Sequence, residues 1–147
     1  MKISDLMPAD SILLSVKVKN KRQLLQELAQ FAASVTKVND RTIFDTLLER
    51  ENLGSTGFGS GTALPHGRLA ELDKVYVFCA KLATPIDFDA IDNKPVDIVF
   101  LLLSPESSGA DHLTALAQVS RVLKNSNLIN KIREAGSKEE IHALLNN

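Results

Sequence analysis

The chain is 147 residues long, 44% hydrophobic, with 17 basic and 18 acidic residues and a formal net charge of -1. That size and apolar content support one core in a single domain over 1–147, and they exclude intrinsic disorder and a two-lobed cofactor enzyme. There is no basic surplus for nucleic acid, and the longest apolar runs, 75–80 and 98–103, fall far short of the ~20 residues of a membrane helix.

Near the start, Ile12, Leu14, Val16 and Val18 alternate with Leu13, Ser15 and Lys17, which predicts a strand with one buried face. Leu24, Leu25, Leu28, Ala29, Ala32 and Val35 then recur at helical spacing. A second helix follows Asn39-Asp40, burying Ile43, Phe44, Leu47 and Leu48 and ending in the charged turn Glu49-Arg50-Glu51. Residues 54–67 hold five of the seven glycines. Two β-rich runs come next, Val75 to Ala80 and Val96 to Leu103, the second apolar on both faces after Asp97 as a central strand would be. Between them, Thr84 to Pro95 carries two prolines and several Asp and Asn residues and reads as an irregular connection. Three helices close the chain. The first starts near Asp111-His112 and buries Leu113, Leu116, Ala117 and Leu123; the second runs from Leu128 to Ala135 with Gly136 as its stop; the third is capped by Ser137, with Glu140 three residues on, and buries Ile141, Leu144 and Leu145. Strands interleaved with helix pairs favour an α/β fold, a mixed β-sheet flanked by helices.

The glycine segment fails the nucleotide motifs. Gly54 and Gly59 have P-loop spacing, but Ser60-Gly61 stands where Lys-Ser/Thr is needed; after Gly57-x-Gly59 the third position is Thr62. Two readings stay open: a turn that needs positive dihedrals, or backbone N–H groups cradling a small anion. At its end, Ala63-Leu64-Pro65-His66-Gly67 sets a histidine between proline and glycine. With a reference pKa of about 6.5, that imidazole is either a nucleophile near neutral pH or an ordinary solvated loop side chain. His112 begins a predicted helix, where the free N–H groups favour a nearby anion; the other reading, a plain polar first-turn residue, fits the local sequence somewhat better. His142 reads as surface or packing, and Cys79 as a buried small residue. With a single cysteine the chain can form neither an internal disulfide nor a multi-cysteine metal site; HExxH and G-x-S-x-G motifs are absent from the sequence. No metal and no cofactor are expected, and the N-terminus carries no secretory signal, so a cytoplasmic protein is expected.

Three blocks together resemble a known family. The run from Arg50 through Gly54-Ser55-Thr56-Gly57-Phe58-Gly59-Ser60-Gly61 to Pro65-His66-Gly67 is similar to the phosphorylation-site region of the enzyme IIA family, mannitol/fructose type, of the phosphotransferase system. The block Pro85 to Leu103 resembles its nitrogen-regulatory branch, and His112-Leu113-x-x-Leu116 matches the family's second active-site histidine. Ser104 stands where the branch often has valine, and the loop 106–111 is short; neither departure is expected to touch the chemistry. A chain without a fused membrane or IIB segment is what the regulatory branch would show.

The resemblance implies a phosphohistidine carrier. His66 would accept a phosphoryl group from an HPr-like (NPr-type) phosphocarrier, and His112 would stabilise that group. Arg50 would add charge or else pair with a neighbouring glutamate. Gly54, Ser55, Thr56, Gly57, Gly59 and Gly61 would form the phosphoryl-binding loop. Phe58 would dock the carrier or pack in the core. The implied partners downstream are regulatory targets such as potassium transporters or sensor kinases; the alternative is a sugar-transport enzyme IIA of fructose/mannitol type passing phosphate to a IIB domain. No nucleic acid and no membrane insertion are expected.

Overall fold

Six strands form one mixed sheet, covered on both faces by five α-helices, in the computed structural model, which describes residues 2–146. Met1 and Asn147 of the expected 1–147 unit lie outside the described residues. In chain order the elements are β1 (Ile12–Val16), α1 (Lys21–Thr36), α2 (Asp40–Asn52), β2 (Gly57–Gly59), β3 (Thr62–Ala63), β4 (His66–Leu69), β5 (Tyr76–Ile86), β6 (Val96–Pro105), α3 (Ala110–Lys124), α4 (Ser126–Glu134) and α5 (Lys138–Leu145). A 3-10 turn, Ile3–Leu6, precedes them.

The sheet order is β1-β5-β6-β3-β2, with β4 also paired to β6. β6 is the central strand that its two apolar faces predict. It runs antiparallel to β5 and parallel to both β3 and β4, which follow each other along its far side. Between those two short strands the Pro65 carbonyl accepts from the Leu102 N–H, so the ladder continues across the proline.

The alternation of β5 and β6 divides the core in two. Phe78, Ala80, Val99 and Leu101 face α1 and α2, packing with Leu24, Leu28, Ile43 and Leu47. Val77, Cys79, Phe100 and Leu102 face the other helices, packing with Ala115, Val119, Ile132 and Ile141. Cys79 is fully buried and its thiol is pushed up to about 12 by desolvation, which suits a space-filling residue.

Four local expectations are corrected. β1 does not bury one face alone. Ile12 and Leu14 pack on the α3–α5 side and Leu13 on the α1–α2 side, and a register break at Ser15, whose φ is +56°, swings Val16 over to join Leu13. β5 runs on to Ile86, taking in Thr84 and Pro85, which were expected in the connection; pairing with β6 lapses between Lys81 and Ile86, so the exposed proline withholds no ladder donor. α3 buries His112, Ala115, Val119 and Leu123, while Leu113 and Ala117 are exposed. Two apolar stripes overlap on that helix, and a polar residue, His112, completes the buried one. α4 begins at Ser126, because the Asn125 side chain accepts from the Leu128 N–H, and it ends as Ala135 turns extended, not on a left-handed Gly136. The Ser137 cap on Glu140 forms as expected.

Candidate active site

His66 opens β4, and the segment around it is folded by bonds that begin on α2. Glu51, whose side chain is 3% exposed, accepts from the Lys21 ammonium at 2.8 Å, from the Thr56 N–H at 3.1 and 3.2 Å to its two oxygens, and from the Thr56 hydroxyl. The Thr56 carbonyl accepts from the Leu64 N–H at 3.0 Å, and the Leu64 carbonyl accepts from His66 Nδ1–H at 2.9 Å. A carbonyl can only accept, so this last bond puts the proton on Nδ1 and leaves the lone pair on Nε2. The group that sets the His66 tautomer is therefore a backbone carbonyl two residues upstream.

A glycine brings α2 against this strand. A Cβ on Gly67 would lie 2.8 Å from Thr46 Cγ2, so a larger residue would force that threonine or the strand to shift. Thr46, Glu49 and Arg50, on one face of α2, and Leu53, just past its end, then line a cleft of about 420 Å³ together with His66, Arg68, Glu106 and His112. The two histidine rings lie 6.1 Å apart between centroids, tilted by 47°.

Burial holds the His66 imidazole below its ordinary value of 6.5; the Leu64 carbonyl opposes that, Arg50 adds to it, and Glu51 pulls weakly upward. His112 is lowered too, by burial first and then by the Arg68 and His66 charges. Both rings thus favour the neutral form near neutral pH. Arg50 is not paired with a neighbouring glutamate: its guanidinium donates to the Gly54 carbonyl at 2.8 Å, just past the end of α2, while the residue lines the cleft.

The segment expected as a phosphoryl-binding loop leads from α2 into the β2–β3 hairpin. None of Gly54, Ser55, Thr56, Gly57, Gly59 and Gly61 lines the cleft. Ser55 donates to the Phe88 carbonyl, Gly57 lies against Ala90, and the Ser60 N–H donates to Asp92. At Gly61, φ is +82° and a Cβ would meet the Arg133 guanidinium, which pairs with Asp97 at 3.0 Å and donates to the Ser60 carbonyl at 2.7 Å. Gly57 and Gly61 let the β2–β3 hairpin pack tightly, and the positive φ at Gly59 and Gly61 fits the first of the two readings left open by the sequence. Phe58 packs on the α3–α5 core, and two large apolar side chains are exposed nearby: Leu53 (83%), which lines the cleft, and Leu113 (62%), next in sequence to His112.

Three residues escaped sequence reasoning. Arg68 shares the His66 side of β4, a period-two signal hidden because the segment reads as a loop. Glu51 looks like one more surface charge. Ser104, expected to lie apart from the chemistry, is buried with its Oγ 2.7 Å from His112 Nδ1.

The family model described as phosphoenolpyruvate-dependent sugar phosphotransferase system, EIIA 2, matches residues 5–147. The chain belongs to this EIIA-2 family. Among relatives of this EIIA-2 chain, a nitrogen regulatory protein of Bradyrhizobium diazoefficiens is 47% identical over 145 residues, covering 99% of this chain and 95% of that one. The crystal structure of nitrogen regulatory protein IIA-Ntr from Neisseria meningitidis superposes with a TM-score of 0.92 at 32% identity, covering 97% of this chain and 98% of that one. The Escherichia coli mannitol enzyme IIA, in a complex with phosphorylated enzyme IIB, gives a TM-score of 0.80 at 19% identity over 96% and 99% of the two chains, a likeness of fold. The nitrogen-regulatory resemblance and the α/β fold with a mixed sheet are both borne out, and this EIIA-2 chain is a IIA-Ntr-like component of the phosphotransferase system. Among the described residues, no helix is long and apolar enough to cross a membrane.

Proposed function

We propose that this chain is a phosphoryl carrier of a nitrogen-regulatory phosphotransferase system. It accepts the group on His66 from the phosphohistidine of an HPr-like carrier and regulates its targets through its phosphorylation state. The observation that carries this reading is the bond from His66 Nδ1–H to the Leu64 carbonyl, in a residue that lines the cleft. It leaves Nε2 as the nucleophile: the Nε2–P bond forms as the donor's N–P bond breaks, while Nδ1 keeps its proton. Phosphoryl transfer needs positioning and charge stabilisation above all. Arg50 and Arg68 supply positive charge at the cleft, and His112 supplies a hydrogen-bond donor. Leu53 and Leu113 give a carrier protein apolar contacts beside it. Once bound, the phosphoryl group brings close to two negative charges to this surface, enough for a target to distinguish the two forms.

The test is phosphoryl uptake from phosphoenolpyruvate through the upstream kinase and carrier, followed by intact mass. His112→Ala is expected to slow uptake about 100-fold, the cost of one donor at the charged group, without moving the label from His66. Because the nucleophile is the free base and burial lowers its pKa, the uptake rate rises with pH through a midpoint below 6.5. A midpoint above 7, or an unchanged rate in the His112 variant, contradicts the assignment.

A further inference from the structure

Ser104 is the next-to-last residue of β6, in register with Arg68 on β4, and His112 is the third residue of α3. The serine is 0% exposed, and His112 Nδ1, 2.7 Å away, is the only hydrogen-bond partner of its hydroxyl among the described residues. His112 is itself 5% exposed yet lines the cleft. Two arrangements satisfy that distance. If Nδ1 carried the proton, Ser104 would accept it and its own hydroxyl proton would be buried without an acceptor, a costly state in a protein interior. If the hydroxyl donates, both polar atoms are satisfied, and the ring proton must sit on Nε2.

We propose that Ser104 is a positioning residue for His112: its hydroxyl donates to Nδ1 and holds the imidazole as the Nε2–H tautomer, so that the ring offers the cleft a donor and not a lone pair. This extends the phosphoryl-carrier reading and rests on it for its purpose, since a lone pair there would repel an anionic oxygen. The two histidines are then held as opposite tautomers. His66 keeps its proton on Nδ1 through a carbonyl acceptor, and His112 keeps its proton on Nε2 through a hydroxyl donor.

The experiment is a long-range ¹H–¹⁵N spectrum of the unphosphorylated protein, slightly alkaline so that both rings are neutral, for wild type, Ser104→Ala and Ser104→Thr. The wild-type His112 pattern is expected to be that of a single Nε2–H tautomer. Ser104→Ala should give an averaged pattern, and Ser104→Thr, which keeps the hydroxyl, should return the wild-type one. Phosphoryl uptake by Ser104→Ala should slow by less than the ~100-fold expected when the donor itself is removed, and recover in Ser104→Thr. A wild-type Nδ1–H pattern, or a Ser104→Ala spectrum unchanged from wild type, overturns the proposal. Because the tautomer is read without phosphate, failure of the carrier reading shows separately, as absent uptake in a protein whose His112 spectrum is as expected.

Discussion

Replacing His66 with alanine is expected to abolish phosphoryl uptake while leaving the fold intact. The other imidazole in the cleft, His112, has its Nδ1 engaged by Ser104, and the remaining guanidinium, carboxylate and hydroxyl groups cannot form a phosphohistidine. The strand should survive, because β4 is held by its backbone ladder to β6, in which His66 opposes Leu102. Purified variant and wild type, charged in parallel by the same carrier, separate the outcomes by mass. Full labelling of the variant would place the acceptor on another residue.

The second large effect is expected at Glu51, which shapes the site without lining it. Glu51→Ala leaves the Lys21 ammonium, whose other carboxylate neighbour, Asp89, is 3.9 Å away, and both Thr56 donors without their acceptor. Breaking a buried ion pair by removing one partner costs about 3–5 kcal/mol; with the lysine side chain 19% exposed, about 3 kcal/mol is expected here. For a chain of this length that lowers the melting temperature by roughly 6–12 °C. The same variant should slow phosphoryl uptake, because the bonds from Glu51 through Thr56 and Leu64 set the ring of His66. Urea unfolding of Glu51→Ala and Glu51→Gln checks this, with the amide retaining part of the stability. A loss below about 1 kcal/mol would assign Glu51 the small value of a surface charge.

What could be read from the sequence was whatever is local. His66 is flagged by its proline and glycine neighbours, His112 by its place at a helix start, and β6 by an apolar run without alternation. Glu51, Arg68 and Ser104 carried no such mark, since each acquires its role from a partner on another element or across a turn: Lys21 on α1, the cleft beside α2, and His112 on α3. The short strands β2, β3 and β4 were hidden for a related reason. At two to four residues each they are too brief for a period to register, and the ladders to β6 and within the β2–β3 hairpin hold them extended. Glycine content pointed to an anion cradle as readily as to tight packing. At Gly61 the positive φ and the nearby Arg133 guanidinium fit tight packing, and the charged side chains that line the cleft are those of Glu49, Arg50, Arg68 and Glu106.

The central claim is that the Leu64 carbonyl holds the Nδ1 proton of His66 and so selects Nε2 as the atom that takes the phosphoryl group. A long-range ¹H–¹⁵N spectrum of the protein charged with phosphate tests this most directly, since the two phosphohistidine isomers give different nitrogen patterns. The expected spectrum shows His66 phosphorylated on Nε2 with the proton retained on Nδ1. Phosphorus on Nδ1 of His66, or on His112, would contradict it.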